Sequence, residues 1–225
     1  MGRRVRHLNP GNAGAVLALD SRFITGLSDG GLVSTWVDRS GSGNNANGSG
    51  TSRPTYETNE QAGCAVVRFD GSNDALGTAA PVTTVINNWS MFSVAYTRAG
   101  GRVHFSNGQN DGYSQTHSGE GLNGFGMLYG YVVWLTSATK EQNQWIIQTS
   151  VRTSGNLAVL KNGVQIITSA SNPKTPTFAT FLGTDTYGYQ NCDIVTACIF
   201  PIPISNPLRR RLEHSSAFAF KIPCL

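Results

Sequence analysis

Charge is scarce in this chain of 225 residues: Asp, Glu, Lys and Arg together make up 13% of it. Gly, Asn, Ser and Thr are abundant instead. That composition suits short strands joined by tight turns, with surfaces that hydrogen-bond more than they carry charge. Long apolar runs are missing as well. None approaches the roughly 18 residues of a membrane-spanning helix, which excludes a helical span. The basic start, Met1 to His7, is followed by an apolar stretch from Ala13 to Leu19 that is short and ends at Asp20. No secretion signal is expected from it.

Cysteine is sparse and badly spaced for metal. Cys64, Cys192, Cys198 and Cys224 contain no CxxC pair, which argues against a zinc site. Cys192 and Cys198 are expected on one strand, on the same face, about 20 Å apart and beyond disulfide reach. Buried free thiols, compatible with a reducing cytoplasm, are the expectation. Nucleophile signatures are also lacking. His7, His104, His117 and His214 are scattered, and there is neither a Gly-x-Ser-x-Gly elbow nor a phosphate-cradling loop.

The net charge of +4 sits at the ends. Arg3, Arg4 and Arg6 open the chain, and Arg209, Arg210, Arg211 and Lys221 close it. Without residues 1–7 and 208–225, ten Lys/Arg face twelve Asp/Glu. A near-neutral body is a poor general nucleic-acid surface. Residues 1–12 read as a basic arm whose Arg3, Arg4 and Arg6 could dock on an acidic partner, and residues 13–225 as one domain.

What the chain has is turn punctuation: Asp29-Gly30, Asp70-Gly71, Asn107-Gly108, Asp111-Gly112, Asn123-Gly124 and Asn162-Gly163. Such spacing is the habit of β-sandwiches. Val66–Phe69, Met91–Tyr96 and Trp145–Val151 read as strands. From Phe125 to Leu135 apolar residues recur at odd positions, which predicts one long strand with a core-facing side. Asn156–Lys161 and Val164–Thr168 flank Asn162-Gly163 and predict a hairpin with a type I′ turn. A single helix is predicted at about 205–214, with Ser205 as cap, Pro207 early, and Leu208 and Leu212 on one face.

Trp36-Val37-Asp38-Arg39-Ser40-Gly41-Ser42-Gly43-Asn44-Asn45-Ala46-Asn47, then Arg53–Tyr56, then Val66–Leu76 resembles the opening of a laminin-G-like, concanavalin A-like jelly-roll domain. Lys161-Asn162-Gly163-Val164 after Gln144-Trp145 is similar to that family's central hairpin. Cys192–Phe200 and the helix after it look like its closing elements. The resemblance runs from about Val16 to Pro223. It implies an all-β jelly roll of two antiparallel sheets with a short C-terminal helix. It also allows a structural calcium, for which Asp38, Asp70, Asp74, Asp185 and Asp193 are the available ligands; no other cofactor is expected.

Glycosidases of this superfamily carry alternating carboxylates on one strand, which holds two carboxyls about 5–5.5 Å apart for retaining chemistry. Glu57, Glu60, Glu120, Glu141 and Glu213 have no acidic residue two positions away. Asp70 and Asp74 are expected to hold a turn. The expectation is therefore a non-enzymatic surface module. The family context implies a phage virion component, a capsid decoration or fibre-associated protein, made in the host cytoplasm and displayed on the virion surface. Its partners would be other virion proteins or a cell-surface glycan, with oligomers allowed and no membrane. The alternative is a carbohydrate-binding adhesion module on a bacterial surface. Tyr113, Trp134, Tyr187 and Tyr189 are the candidate glycan platforms.

Overall fold

The computed structural model describes residues 8, 10–83, 87–99, 105–107, 113–116, 126–129, 133–136, 142–154, 156–170, 179–185 and 188–224. Arg3, Arg4, Arg6, His104, His117 and Tyr187 lie outside them.

Two antiparallel sheets face each other. The first runs in the order Val164–Ser169, Asn156–Lys161, Trp145–Thr153, Trp89–Ala99, Asn191–Phe200, Cys64–Asp70, Thr55–Gln61, Gly31–Leu32. Leu17–Asp20 joins it beside Asn191–Phe200, pairing Leu17 with Ile199. The second runs Val133–Thr136, Gly126–Tyr129, Tyr113–Thr116, Phe105–Asn107, Thr180–Leu182, Leu76–Gly77, Ala46–Asn47, Thr35–Trp36. The expected sandwich is observed.

Strand alternation builds two apolar layers, not one. Between the sheets lie Leu17, Leu19, Val67, Phe69, Trp89, Met91, Ile146, Ile194 and Ile199 from the first sheet. They meet Trp36, Leu76, Phe105 and Leu182 from the second. Residues of opposite parity on the first sheet, among them Val66, Phe92, Val94, Ile147 and Phe200, pack outward against the helix Asn206–Phe220. Each such side chain, removed from water, contributes roughly 1.5–3 kcal/mol.

The helix turns one face inward: Arg209, Leu212, Glu213, Ser216 and Phe220, which recur with the helical period, are buried. Glu213 is 1% exposed. It accepts from Arg209 one turn earlier and from Thr149 Oγ1 on the sheet at 2.7 Å. Ser205 caps the start, accepting from the Leu208 amide, and Lys221 at φ +51° closes the end. The helix therefore extends beyond the expected residue 214, because Ser216 and Phe220 continue the buried stripe.

Two further expectations need correction. Phe125 to Leu135 is not one strand: Gly126–Tyr129 and Val133–Thr136 are neighbours that pair Met127 with Leu135 and Tyr129 with Val133. Cys192 and Cys198 do share a strand but not a face. A register irregularity between Ile194 and Thr196 inserts one residue. Cys192 accordingly packs between the sheets and Cys198 beneath the helix. Both thiols are free and buried, and burial pushes both well up from their ordinary value. The Asn162-Gly163 hairpin is as expected, with φ +49° and +84° at its two turn residues.

Candidate functional site

The helix covers only part of the first sheet's outer face. Where it ends, the outward residues of the same strands change character. Strand Trp89–Ala99 presents Phe92 and Val94 to the helix, then Tyr96 and Arg98 beyond it. Strand Cys64–Asp70 places Val66 under the helix and Arg68 beyond it. On Asn191–Phe200, Phe200 and Cys198 are covered and Asp193 lies in the open part.

Register brings these residues together. Tyr96 is paired with Trp145 on one side and Asp193 on the other, and Asp193 with Arg68. Tyr96 and Trp145, both half-buried, stand with ring centroids 5.5 Å apart and planes tilted by 46°. The Arg98 guanidinium lies 5.4 Å from the Tyr96 centroid.

Asp193 is clasped by two forks. Arg68 donates through Nε at 2.8 Å and Nη2 at 3.0 Å, and Arg98 through Nη2 at 2.6 Å and Nε at 3.3 Å. Arg68 also meets Glu60 at 3.1 Å and Glu57 at 3.9 Å. The Asp193 carboxylate, aided by Glu60, holds the Arg68 proton still more firmly than usual. Glu60 reaches Arg68 because register is lost between Glu57 and Gln61, with Asn59 at φ +58°. Three carboxylates and two guanidiniums leave the cluster one negative charge.

Glu60, Gln61, Tyr96, Arg98, Trp145 and Asp193 line a concavity of about 290 Å³. A second, of about 410 Å³, shares Gln61 and Trp145 and continues over Lys161, Asn162 and Pro223. A third, of about 420 Å³, carries on from Lys161 and Asn162 to Val164 and Ile166. Together they form a groove past the helix end. Its walls are pinned: Gln61 Nε2 donates to the Phe220 carbonyl, and Asn162 Oδ1 accepts from the Ile147 amide at 2.9 Å.

None of the expected platforms lines this groove among the described residues. Tyr113 and Trp134 lie on the second sheet, where they pair with Asn107 and Leu128. Tyr189, 46% exposed, stands on a two-stranded ribbon opposite Thr184. Tyr96 and Trp145, which were not among the expected platforms, sit on strands whose alternation places them outward.

Four of the aspartates named as available calcium ligands, Asp38, Asp70, Asp74 and Asp193, make hydrogen bonds or ion pairs within the fold. Asp38 accepts from the amides of Ala18, Ser40 and Asn44, and Asp70 from those of Ser72 and Asn73. Asp74 accepts from the Asp70 amide at 2.9 Å. Asp185 lies on the ribbon with Tyr189. Among the described residues no three His, Cys, Asp or Glu side chains are grouped so that they could hold a metal ion.

No family model matches the chain, and no curated protein matches its sequence. Solved structures do resemble its fold. A Trypanosoma rangeli sialidase in complex with sialic acid superimposes with TM-score 0.63 at 10% identity, over 92% of this chain and 34% of that one. An arabinofuranosidase complexed with arabinofuranosyl-alpha-1,2-xylobiose gives 0.71 at 10% identity, over 95% and 65%. An HCR/D mutant gives 0.60 at 17%, over 91% and 52%. The chain thus spans about a third of the sialidase and just under two thirds of the arabinofuranosidase, and at these identities the likeness shows the fold.

One expectation is overturned here. A non-enzyme was expected, yet the similar folds include two glycoside hydrolases. The expectation rests on the absence of alternating carboxylates along a single strand. Here Glu57, Glu60 and Asp193 gather at Arg68 across a sheet.

Proposed function

We propose that the chain is a carbohydrate-binding β-sandwich of the laminin-G-like, concanavalin A-like kind, and that the groove past the helix end holds the glycan. The observation that carries this reading is the half-buried Tyr96–Trp145 pair, 5.5 Å apart, rimmed by Arg98, Asp193, Glu60 and Gln61. Sugar rings offer C–H faces to aromatic rings and hydroxyls to charged and amide groups, so this mixture suits them. Three linked concavities favour an oligosaccharide over a single ring. The sialic acid and arabinofuranosyl-xylobiose complexes of the similar folds are in keeping with sugar as the ligand class.

A second reading, glycoside hydrolysis in the same groove, draws on the carboxylates that flank Arg68. Display on a virion or on a bacterial surface rests on the sequence resemblance alone, and immunogold labelling of particles and cells addresses it.

An array of immobilised plant, bacterial and sialylated glycans tests the main reading. At least one glycan class should retain the protein, and a blank array would end the proposal. Incubating the retained glycan with the protein separates the readings, because release of reducing ends, lost on Glu60→Gln, would add hydrolysis to binding.

A further inference from the structure

The helix Asn206–Phe220 hides its only acid. Glu213 is 1% exposed and bound to Arg209 and Thr149, so the solvent side of the helix keeps charge of one sign. Arg210, Arg211, His214 and Phe218 are exposed, and so is Lys221, the residue that closes the helix. At 3.6 residues per turn all five fall within about 100° of the helix circumference, opposite the buried face. Among the described residues no acid pairs with Arg210, Arg211 or Lys221.

A helix face that merely meets water mixes the two signs and forms pairs one turn apart. This one does not, and the macrodipole gives no reason for it. Arg210 and Arg211 stand in the N-terminal half, where a cation gains nothing from the helix. Phe218, in the same stripe, is 70% exposed, the most exposed large apolar side chain among the described residues. The stripe also leads into the groove. Lys221 lines the concavity of about 410 Å³ together with Gln61, Trp145 and Asn162, so the two surfaces are continuous.

We infer that the glycan of the groove is a carboxylate-bearing chain, a polyuronate, whose acidic rings run on from Lys221 along the helix to Arg211 and Arg210. The inference rests on the groove reading. Guanidiniums match carboxylates in a two-point contact, and Phe218 offers its ring to the C–H side of a sugar. Charge density selects the polymer. From Arg210 to Lys221 three full cations span about 16 Å of helix at 1.5 Å per residue, which suits a chain with one charge on each ring. Duplex DNA carries one charge per about 1.7 Å of axis, far denser than this stripe, and the body of the chain is near neutral.

The test is calorimetric titration with oligogalacturonate, an uncharged dextran oligomer of equal length and a short DNA duplex. Oligogalacturonate should bind most tightly of the three, and more weakly as salt rises. Replacing both arginines, Arg210→Gln with Arg211→Gln, should leave the unfolding midpoint unchanged. It should weaken oligogalacturonate about fivefold or more, the scale of two part-solvated ion pairs. Arg53→Gln, beside the second sheet's edge strand, should keep full affinity. No binding of oligogalacturonate, equal affinity for the dextran oligomer or the duplex, or full affinity in the double variant would each overturn the inference. In any of these cases a neutral glycan weakened by Trp145→Ala would leave the groove reading standing. Oligogalacturonate held through the arginines with Trp145→Ala at full affinity would instead remove the groove reading, and this inference with it.

Discussion

The covered and open halves of the first sheet's outer face are built on the same strands, yet they obey different rules. Under the helix, Phe92, Val94, Ile147, Val195 and Phe200 are buried, and the charges present, Arg209 and Glu213, are buried as a pair. Past the helix end, Tyr96, Arg98, Trp145 and Arg68 are left part-exposed around a buried Asp193. Burial alone would favour continuing the apolar pattern, and solvent alone would favour small polar residues. Half-buried aromatics ringed by paired charges satisfy neither, which is in keeping with the proposed glycan site.

Glu213→Ala should separate the halves most sharply. It would strand the Arg209 guanidinium and the Thr149 hydroxyl under the helix, costing about 3–5 kcal/mol as for other broken buried pairs. Denaturant unfolding would show this, while glycan retention by the folded fraction should persist. An unchanged midpoint would mean that the helix does not hold the covered half.

Gly163→Val probes the wall of the open half. A β-branched residue at φ +84° should lose about 1–3 kcal/mol and reduce glycan retention, since Asn162 lines the groove. Lost stability with full retention would detach the hairpin from the site.

A smaller effect is expected with pH at the turn that follows Arg68. Burial pushes the Asp74 carboxyl from an ordinary 3.8 up to about 6, opposed by the Asp70 amide that it accepts. The folded state then keeps the proton over that window. Its stability contribution is present below pH 3.8 and lost as pH rises through about 6. Asp74→Asn should flatten the stability profile between those values, and a profile of unchanged slope would assign the dependence elsewhere.

Arg98→Ala should change stability least, by about 1 kcal/mol or less, because Arg68 still holds Asp193 and the lost pair is partly solvated. Its retention of glycan should nevertheless fall, more so at low salt. A stability loss rivalling that of Glu213→Ala would erase the distinction between the two halves.

Local chemistry made much of the fold legible. Asn162-Gly163 dictates its turn, Asp70 holds its own with two backbone amides, and Ser205 and Pro207 mark the helix start. Longer-range features were hidden for definite reasons. In the hairpin of Gly126–Tyr129 with Val133–Thr136, cross-strand partners 127/135 and 129/133 all fall on odd numbers. Period-two reading therefore cannot tell two paired strands from one. The irregularity after Ile194 reversed the facing of Cys198, and nothing in Asp193–Ala197 announces it. The site was least legible of all. Arg68 and Asp193 stand 125 residues apart in sequence, and only the register of neighbouring strands unites them with Tyr96 and Trp145.

The most direct test of the open half is calorimetric titration of the oligosaccharide chosen by the array into wild type and Trp145→Ala, with circular dichroism confirming that both are folded. Loss of the aromatic platform should weaken binding at least about tenfold, or about 1.4 kcal/mol. Equal affinity in the two proteins would place the glycan elsewhere and contradict the account.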